Sequence, residues 1–533
     1  MNRLIRLLLV LLMLAPAAAR AEWLEASSTH FRVFADGDVA NVRAFATRLE
    51  RFDKGLRFWN RIPDEDLGPA NRVTVYVVAD RSAIRRLAQA KPGLAGFYIG
   101  RAGGSVAFTP RRSGSSVSFD LDAETILLHE YGHHFLRQNI AGNFPAWFIE
   151  GFAEFYATAR FEKDGSVAFG LVAEHRANGL MNEIPLPIET LLDSAGRKLS
   201  EEQMEATIYG RGWLLTHLLT FSDKRAGQLG AYLTAIRRGA SSLDAARTAF
   251  GDLRTLDREL RAYARRPRFT SLVIAAEELP TGPVRVRRLS AGETAILPAR
   301  MQLVRGVDEE EAAALIGSMR RAASPYPNDP AVQAALAEAE YDAGNLALAE
   351  AAADRALAVQ PKNVDALIYK ARVALERVEA DPSSKPANWI KARQRLLAAN
   401  AVDPNHPVPF MLFYESFRSE GIAPTRNSVT GLLRAFELAP HDRNLRLMVA
   451  RQHLIDGKGP EARDALAPLA FDPHGGARAK AMQTILARLE EGGTPAALAA
   501  WDGAFRAAEG PERKSDEGHA GGAWARRLVV GRD

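Results

Sequence analysis

The sequence predicts an α+β fold: a small mixed sheet joined to a helical lobe, followed by an all-α superhelix of paired helices. Three observations carry that prediction. Short apolar runs before residue 110 alternate as strands do, apolar residues from Ala123 onward recur at helical spacing, and beyond Pro327 a unit of about 34 residues repeats. A chain of 533 residues is also too long for one ordinary core, so two or three folded units are expected.

Residues 1–21 read as a signal peptide. Arg3 and Arg6 precede the apolar run Leu7 to Leu14, and Ala19-Arg20-Ala21 offers a small-x-small cleavage site. The run is shorter than the roughly 20 apolar residues a spanning helix needs. A periplasmic or otherwise exported location through a Sec-type signal is therefore expected, with no membrane span after signal removal. The formal charge is +5, three of those charges being leader arginines (Arg3, Arg6, Arg20), and no long basic run follows, so a nucleic-acid partner is not expected. Cysteine is absent, which excludes disulfides, thiolate metal sites and a cysteine nucleophile. Any metal must sit on histidine and carboxylate.

Residues 22–265 form the first expected unit. His30 to Phe34 alternates like a strand, Val42, Phe45, Leu49, Phe52 and Leu56 fall on one helix face, and Val73 to Val78 reads as a buried strand. A short helix around Ser82 to Gln89 and glycine-punctuated strands at Phe97 to Ile99 and Ser105 to Phe108 follow. From Ala123 to Tyr263 the pattern is helical almost throughout. Residues 266–326, interrupted by Pro267, Pro280, Pro283 and Pro298, read as a connector with limited structure: weak β character at Val284 to Val286 and a helix from Glu309 to Ala322. In residues 327–505, Ala337, Gly344, Ala349, Ala356 and Pro361 take the small-residue and proline positions of a helix-turn-helix unit, and later units end at Pro404, Pro440 and Pro473. This resembles tetratricopeptide repeats, which implies a protein partner. Residues 506–533, rich in Gly, Ser and charge, are expected to be disordered.

Chemistry concentrates in Thr125 to Leu136. His129 and His133 are four residues apart, one turn along one helix face, so both imidazoles can reach a single ion. Glu130 beside the first of them is placed to accept a proton from water. A tetrahedral catalytic zinc takes three protein ligands and keeps one position open, so a third ligand is expected downstream. After Asn143 as cap and Pro145 in the first turn, a second helix carries Glu150 and Glu154 on one face, and both carboxylates are candidates.

His129, Glu130 and His133, with a Trp147-x-x-Glu150-Gly151-x-Ala153 segment 17 residues beyond His133, resemble the gluzincin (peptidase MA-like) zinc metallopeptidases, the group of thermolysin. The resemblance implies one Zn2+ ion, Glu150 as third ligand, Glu154 supporting a ligand imidazole, and Tyr209 as oxyanion donor, with His217 or Arg211 as alternatives. Aminopeptidases of this group carry a Gly-x-Met-Glu-Asn strand before the zinc motif whose glutamate holds the substrate's amino end. Here Gly104 to Phe108 occupies the comparable place with Ala107 at the glutamate position. An endopeptidase is therefore expected, with Ser105, Val106 and Ala107 pairing to an extended protein or peptide substrate if their strand is an exposed edge. The competing expectation is an envelope scaffold protein whose repeats carry the function.

Overall fold

The protein is described by a computed structural model over residues 22–89, 96–112, 123–140, 142–177, 180, 186–194, 197–472 and 475–508. The expected leader lies outside the described residues, as does the expected disordered tail (506–533) except for 506–508, which belong to the last helix. The architecture is α+β. Among the described residues no helix is long and apolar enough to cross a membrane.

Strands β1 (Trp23–Ser27), β2 (Phe31–Asp36), β3 (Val73–Asp80), β4 (Phe97–Ile99), β5 (Val106–Arg112) and β9 (Arg285–Arg288) form a six-stranded sheet in the order β4-β5-β3-β2-β1-β9. The central strands β2, β3 and β5 are parallel, and the outer pairings are antiparallel. Alternation along each strand sends Val33, Val75 and Ala107 to one face and Phe34, Tyr76 and Phe108 to the other. On the second face Phe34 stacks on Tyr76 at 5.0 Å and Tyr76 on Phe108 at 5.3 Å. Helix α1 (Val39–Asn60) covers the first face with Val42, Ala46, Leu49, Phe52 and Leu56. Its first turn is capped by Asp38, which accepts from the Asn41 amide. Helix α2 (Arg81–Ala88) places Ile84 on the second face.

The helical lobe opens with α3 (Ala123–Asn139) and α4 (Ala146–Ala157) and continues through α5 (Ile188–Leu192), α6 (Glu201–Met204), a π-helical turn (Glu205–Arg211), α7 (Gly212–Phe221), α8 (Gln228–Arg237), α9 (Ser242–Phe250) and α10 (Leu253–Ala264). It also holds a second sheet, β6-β7-β8, from Arg160–Phe161, Val167–Phe169 and Leu272–Ile274. Strands of two or three residues are too short to show alternation, so β6 and β7 were not visible in the almost wholly helical pattern from Ala123 to Tyr263, nor β8 in the expected connector.

Residues 266–326 contain the expected β segment and the expected helix from Glu309, together with a further helix that was not expected. β9 pairs with β1 in the main sheet, and α11 (Ala291–Arg305) and α12 (Glu309–Ala323) are full helices. Pro298 read as a breaker, yet it sits inside α11. That helix is two-sided: Leu297 and Val304 pack on the second face of the sheet, while Ile296, Ala299 and Leu303 join the core of the following helices. Antiparallel pairs α13/α14 (Pro330–Asp342, Leu346–Val359), α15/α16 (Val364–Ala380, Pro386–Val402), α17/α18 (Pro407–Ser419, Arg426–Leu438) and α19/α20 (Arg443–Ile455, Gly459–Ala470) follow. A last helical segment α21 (Gly476–Ala508) is kinked at Gly492 and Gly493. Fully buried alanines, among them Ala337, Ala349, Ala352, Ala353 and Ala356, let the paired helices approach closely.

Candidate metal centre

Helix α3 is held by both its neighbours. The Tyr131 hydroxyl donates to Asp53 of α1 at 2.7 Å, and the Tyr131 ring lies 4.8 Å from that of Phe31. On the other side α3 crosses α4 at a glycine: a Cβ on Gly132 would stand 3.1 Å from the Ala153 Cα. The same device brings α4 onto α7, where a Cβ on Gly151 would stand 2.5 Å from the Gly212 carbonyl oxygen. The small residues of Trp147-x-x-Glu150-Gly151-x-Ala153 are therefore crossing points, and they fix Glu150 opposite His129 and His133. The cap differs from expectation. Pro145, extended at φ −70° and ψ 156°, occupies the N-cap of α4 with no side-chain cap bond, and Asn143 plays no part. Proline suits this boundary because its missing N–H would have no helical partner there.

His129, His133 and Glu150 converge. Nε2 of His129 and Nε2 of His133 are 3.1 Å apart, and they stand 3.4 and 3.3 Å from the same Glu150 oxygen, Oε2. Three donors held at about 2.0–2.1 Å around a tetrahedral ion are separated by about 3.3–3.4 Å. The three residues thus form a group that could hold a metal ion. Glu150 is 1% exposed, and Nδ1 of His133 is buried without a hydrogen-bond partner among the described residues. Burial alone would depress the His129 imidazolium, but the hydrogen bond to Glu150 and the charges of Glu154, Glu150 and Glu130 outweigh it and lift its pKa to about 9. This pocket favours positive charge.

Glu154, one turn beyond Glu150, faces the other side of the same imidazole. Its Oε1 lies 3.4 Å from His129 Nδ1. Two residues that sequence reading missed complete its surroundings: His175 Nε2 lies 2.8 Å from Oε2, and Arg176 donates to Oε1 from Nε at 3.0 Å and from Nη2 at 2.6 Å. Burial would raise the Glu154 pKa, but the His175 hydrogen bond and the charges of His129 and Arg176 hold it at about 2. No sequence signal marked His175 and Arg176, which lie on a single 3-10 turn, Glu174–Arg176, without periodicity.

Glu130 is half-buried on α3 beside His129. Tyr209 lies in the π-helical turn, its ring 6.1 Å from that of His129 and covered by the Arg176 guanidinium at 4.7 Å. Burial and the nearby Glu150 charge push its phenol pKa well up, so it stays protonated. The alternatives to Tyr209 are engaged elsewhere. His217 is fully buried with Nδ1 on the Tyr263 hydroxyl and Nε2 facing the Gly170 and Thr270 carbonyls, and Arg211 is spent on Asp257 and the Leu186 carbonyl. His134, adjacent to His133, is buried against Tyr98 and takes no place among the ligand atoms.

Ser105, Val106 and Ala107 are not an exposed edge. β5 is paired with β3 on one side and β4 on the other, and all three residues are buried. The edge at that side of the sheet is β4, a three-residue strand whose outward position was hidden in sequence by the glycines around it. No protein-family model matches the chain, and no curated protein matches it either.

Proposed function

We propose that the chain is an exported, zinc-dependent metallopeptidase of gluzincin type that hydrolyses peptide bonds, more as an endopeptidase than as an aminopeptidase. The observation that carries this reading is the triangle of donor atoms on His129, His133 and Glu150, with edges of 3.1 to 3.4 Å. Two imidazoles and one carboxylate suit zinc better than a hard cation such as magnesium or calcium. Bound there, zinc supplies a Lewis acid that polarises a substrate carbonyl.

The chain's own residues supply the remainder. Glu130 takes a proton from the attacking water and returns it to the leaving amine. Tyr209, held protonated, donates a hydrogen bond to the oxyanion. Glu154 orients His129 from behind. Ala107 offers no carboxylate for a free amino end, and β4, an edge strand among the described residues, offers backbone groups to an extended peptide. The helix pairs recruit the protein substrate or a protein partner in this reading.

The test is cleavage of a quenched peptide library by the zinc-loaded chain. Glu130→Gln is expected to lower turnover at least about 100-fold while zinc content and fold are kept. Stoichiometric zinc without hydrolysis of any library member would replace the peptidase with the scaffold reading.

A further inference from the structure

The repeat array meets the sheet along the turns between its helix pairs. Each of its four first helices is capped two residues after a proline: Asp329, Asn363, His406 and Asp442 follow Pro327, Pro361, Pro404 and Pro440. The last two of these turns grip the β4–β5 connection. A Cβ on Gly103 would stand 2.7 Å from Val408 Cγ2 and 3.0 Å from His406 Cε1, so only glycine fits, and its φ of 80° asks for glycine as well. The Ala102 amide donates to Asp442 Oδ2 at 2.6 Å. Asn71, in the turn that leads into β3, donates to the Asn405 carbonyl at 3.0 Å.

His441, between Pro440 and the capping Asp442, goes further. Five side chains form a circuit that leaves and re-enters α3: His134 Nδ1 to Tyr98 Oη at 2.6 Å, Tyr98 Oη to Ser105 Oγ at 3.1 Å, Ser105 Oγ to His441 Nε2 at 2.9 Å, and His441 Nδ1 to Gln138 Oε1 at 2.5 Å. Gln138 lies one turn beyond His134 on the same helix. Its amide nitrogen donates to the Leu438 carbonyl at 3.1 Å, which leaves only its oxygen for His441. The direction of every bond then follows: His441 Nδ1–H donates to Gln138, Ser105 donates to His441, Tyr98 to Ser105, and His134 to Tyr98. The other neighbour of His441 Nε2, the Arg101 carbonyl, is farther away at 3.4 Å. The His441 ring also meets that of His134 edge-on at 4.7 Å. His134 is the residue after His133.

We propose that His441 is a positioning residue of the metal centre, the joint through which the repeat array locks α3 to the β4–β5 turn; this rests on the metal reading above. The array is then part of the catalytic unit, and two of its turns are occupied by the β4–β5 connection of its own chain.

The test uses the full chain carrying His441→Phe, Ser105→Ala or both, with zinc affinity measured by chelator competition and amide exchange followed along 123–140 in the zinc-free protein. His441→Phe keeps a ring of similar size and removes both hydrogen bonds. Zinc affinity is expected to fall about 10-fold, as for other groups that orient ligands, and exchange in α3 to speed up. The double variant is expected to be no worse than His441→Phe, because one circuit is cut twice. His441→Asn, which keeps a donor near the Nδ1 position, is expected to recover part of the loss. A lower melting temperature with zinc affinity and α3 exchange unchanged would reduce the circuit to domain packing and overturn the proposal. If the wild-type chain takes up no zinc, the metal reading falls and His441 positions no metal; the exchange comparison then shows only whether the circuit holds α3.

Discussion

Among the described residues two clusters offer the same kind of ligand atoms, one buried and one reaching the surface at Asp64, and they differ in what balances their charge. His129, His133 and Glu150 form one, and His30, Asp53 and Asp64 form the other. In the second, cations are built in. Asp53 accepts from Arg57 Nε at 2.6 Å and from the Tyr131 hydroxyl at 2.7 Å, Asp64 pairs with Lys54, and His30 lies 2.9 Å from Glu50 and 3.0 Å from Asp64. Beside the first, Arg176 is paired with Glu154 and Glu205. Buried charge needs a partner. Where the chain supplies Lys and Arg, the cluster is a brace between α1 and α3; where it supplies two imidazoles around one carboxylate oxygen, the group could hold a metal ion.

The largest expected effect tests that contrast directly. His133→Ala or Glu150→Gln should abolish stoichiometric zinc uptake, measured by elemental analysis after dialysis, while Asp64→Asn should retain one zinc per chain. Zinc lost from Asp64→Asn and kept by His133→Ala would invert the assignment. Next in size, Arg57→Met should cost about 3–5 kcal/mol in denaturant unfolding, because it leaves Asp53, fully buried, without its cation. A cost below about 1 kcal/mol, the size of an exposed pair, would mean that the second cluster is not a self-balanced brace.

The contrast also explains what the sequence could disclose. His129 and His133 were legible because helical spacing alone puts them on one face, whereas Glu150 and Glu154, one turn apart, were equivalent in the pattern and only the gluzincin resemblance singled out Glu150. The repeat boundaries were legible because proline and small residues mark where helix pairs end and touch: α14, α16 and α18 stop just before Pro361, Pro404 and Pro440. The brace was not legible, since His30, Asp53 and Asp64 come from a strand end, a helix and a loop with no common period. His441 was hidden for the same reason, being more than 300 residues from its partners Ser105 and Gln138. In residues 266–326 the strand and the helix from Glu309 were legible, but α11 was not, because Pro298 argued for a break while packing on the open face of the sheet made a helix.

A buried imidazole outside both clusters provides the reference for a histidine satisfied by protein alone. Burial depresses the His217 pKa to about 4 against the partial support of the Gly170 and Thr270 carbonyls. The folded state therefore refuses a proton that the unfolded chain accepts near pH 6.5. Its contribution to stability is complete above about pH 6.5 and is lost as the pH falls towards about 4, amounting to about 3 kcal/mol over that window. His217→Phe should flatten this part of the stability profile in denaturant titrations. An unchanged slope would mean that His217 is not held neutral.

The smallest predicted effect is the most discriminating, because Glu154 touches both kinds of chemistry. It faces His129 Nδ1, as a residue that orients a ligand should, and it is also paired with His175 and Arg176, as a residue of a brace would be. Glu154→Gln keeps the shape and removes the charge. If Glu154 serves the metal centre, zinc affinity should fall about 10- to 100-fold, the usual penalty for losing the partner of a ligand imidazole. Arg176→Leu separates the two roles, since it breaks the brace and leaves the approach of Glu154 to His129 in place. It should lower thermal stability while zinc affinity stays within a few-fold of wild type. Were both variants to destabilise the fold equally with zinc affinity untouched, Glu154 would belong with Asp53 among the internally balanced carboxylates, and His129 would be oriented by Glu150 alone.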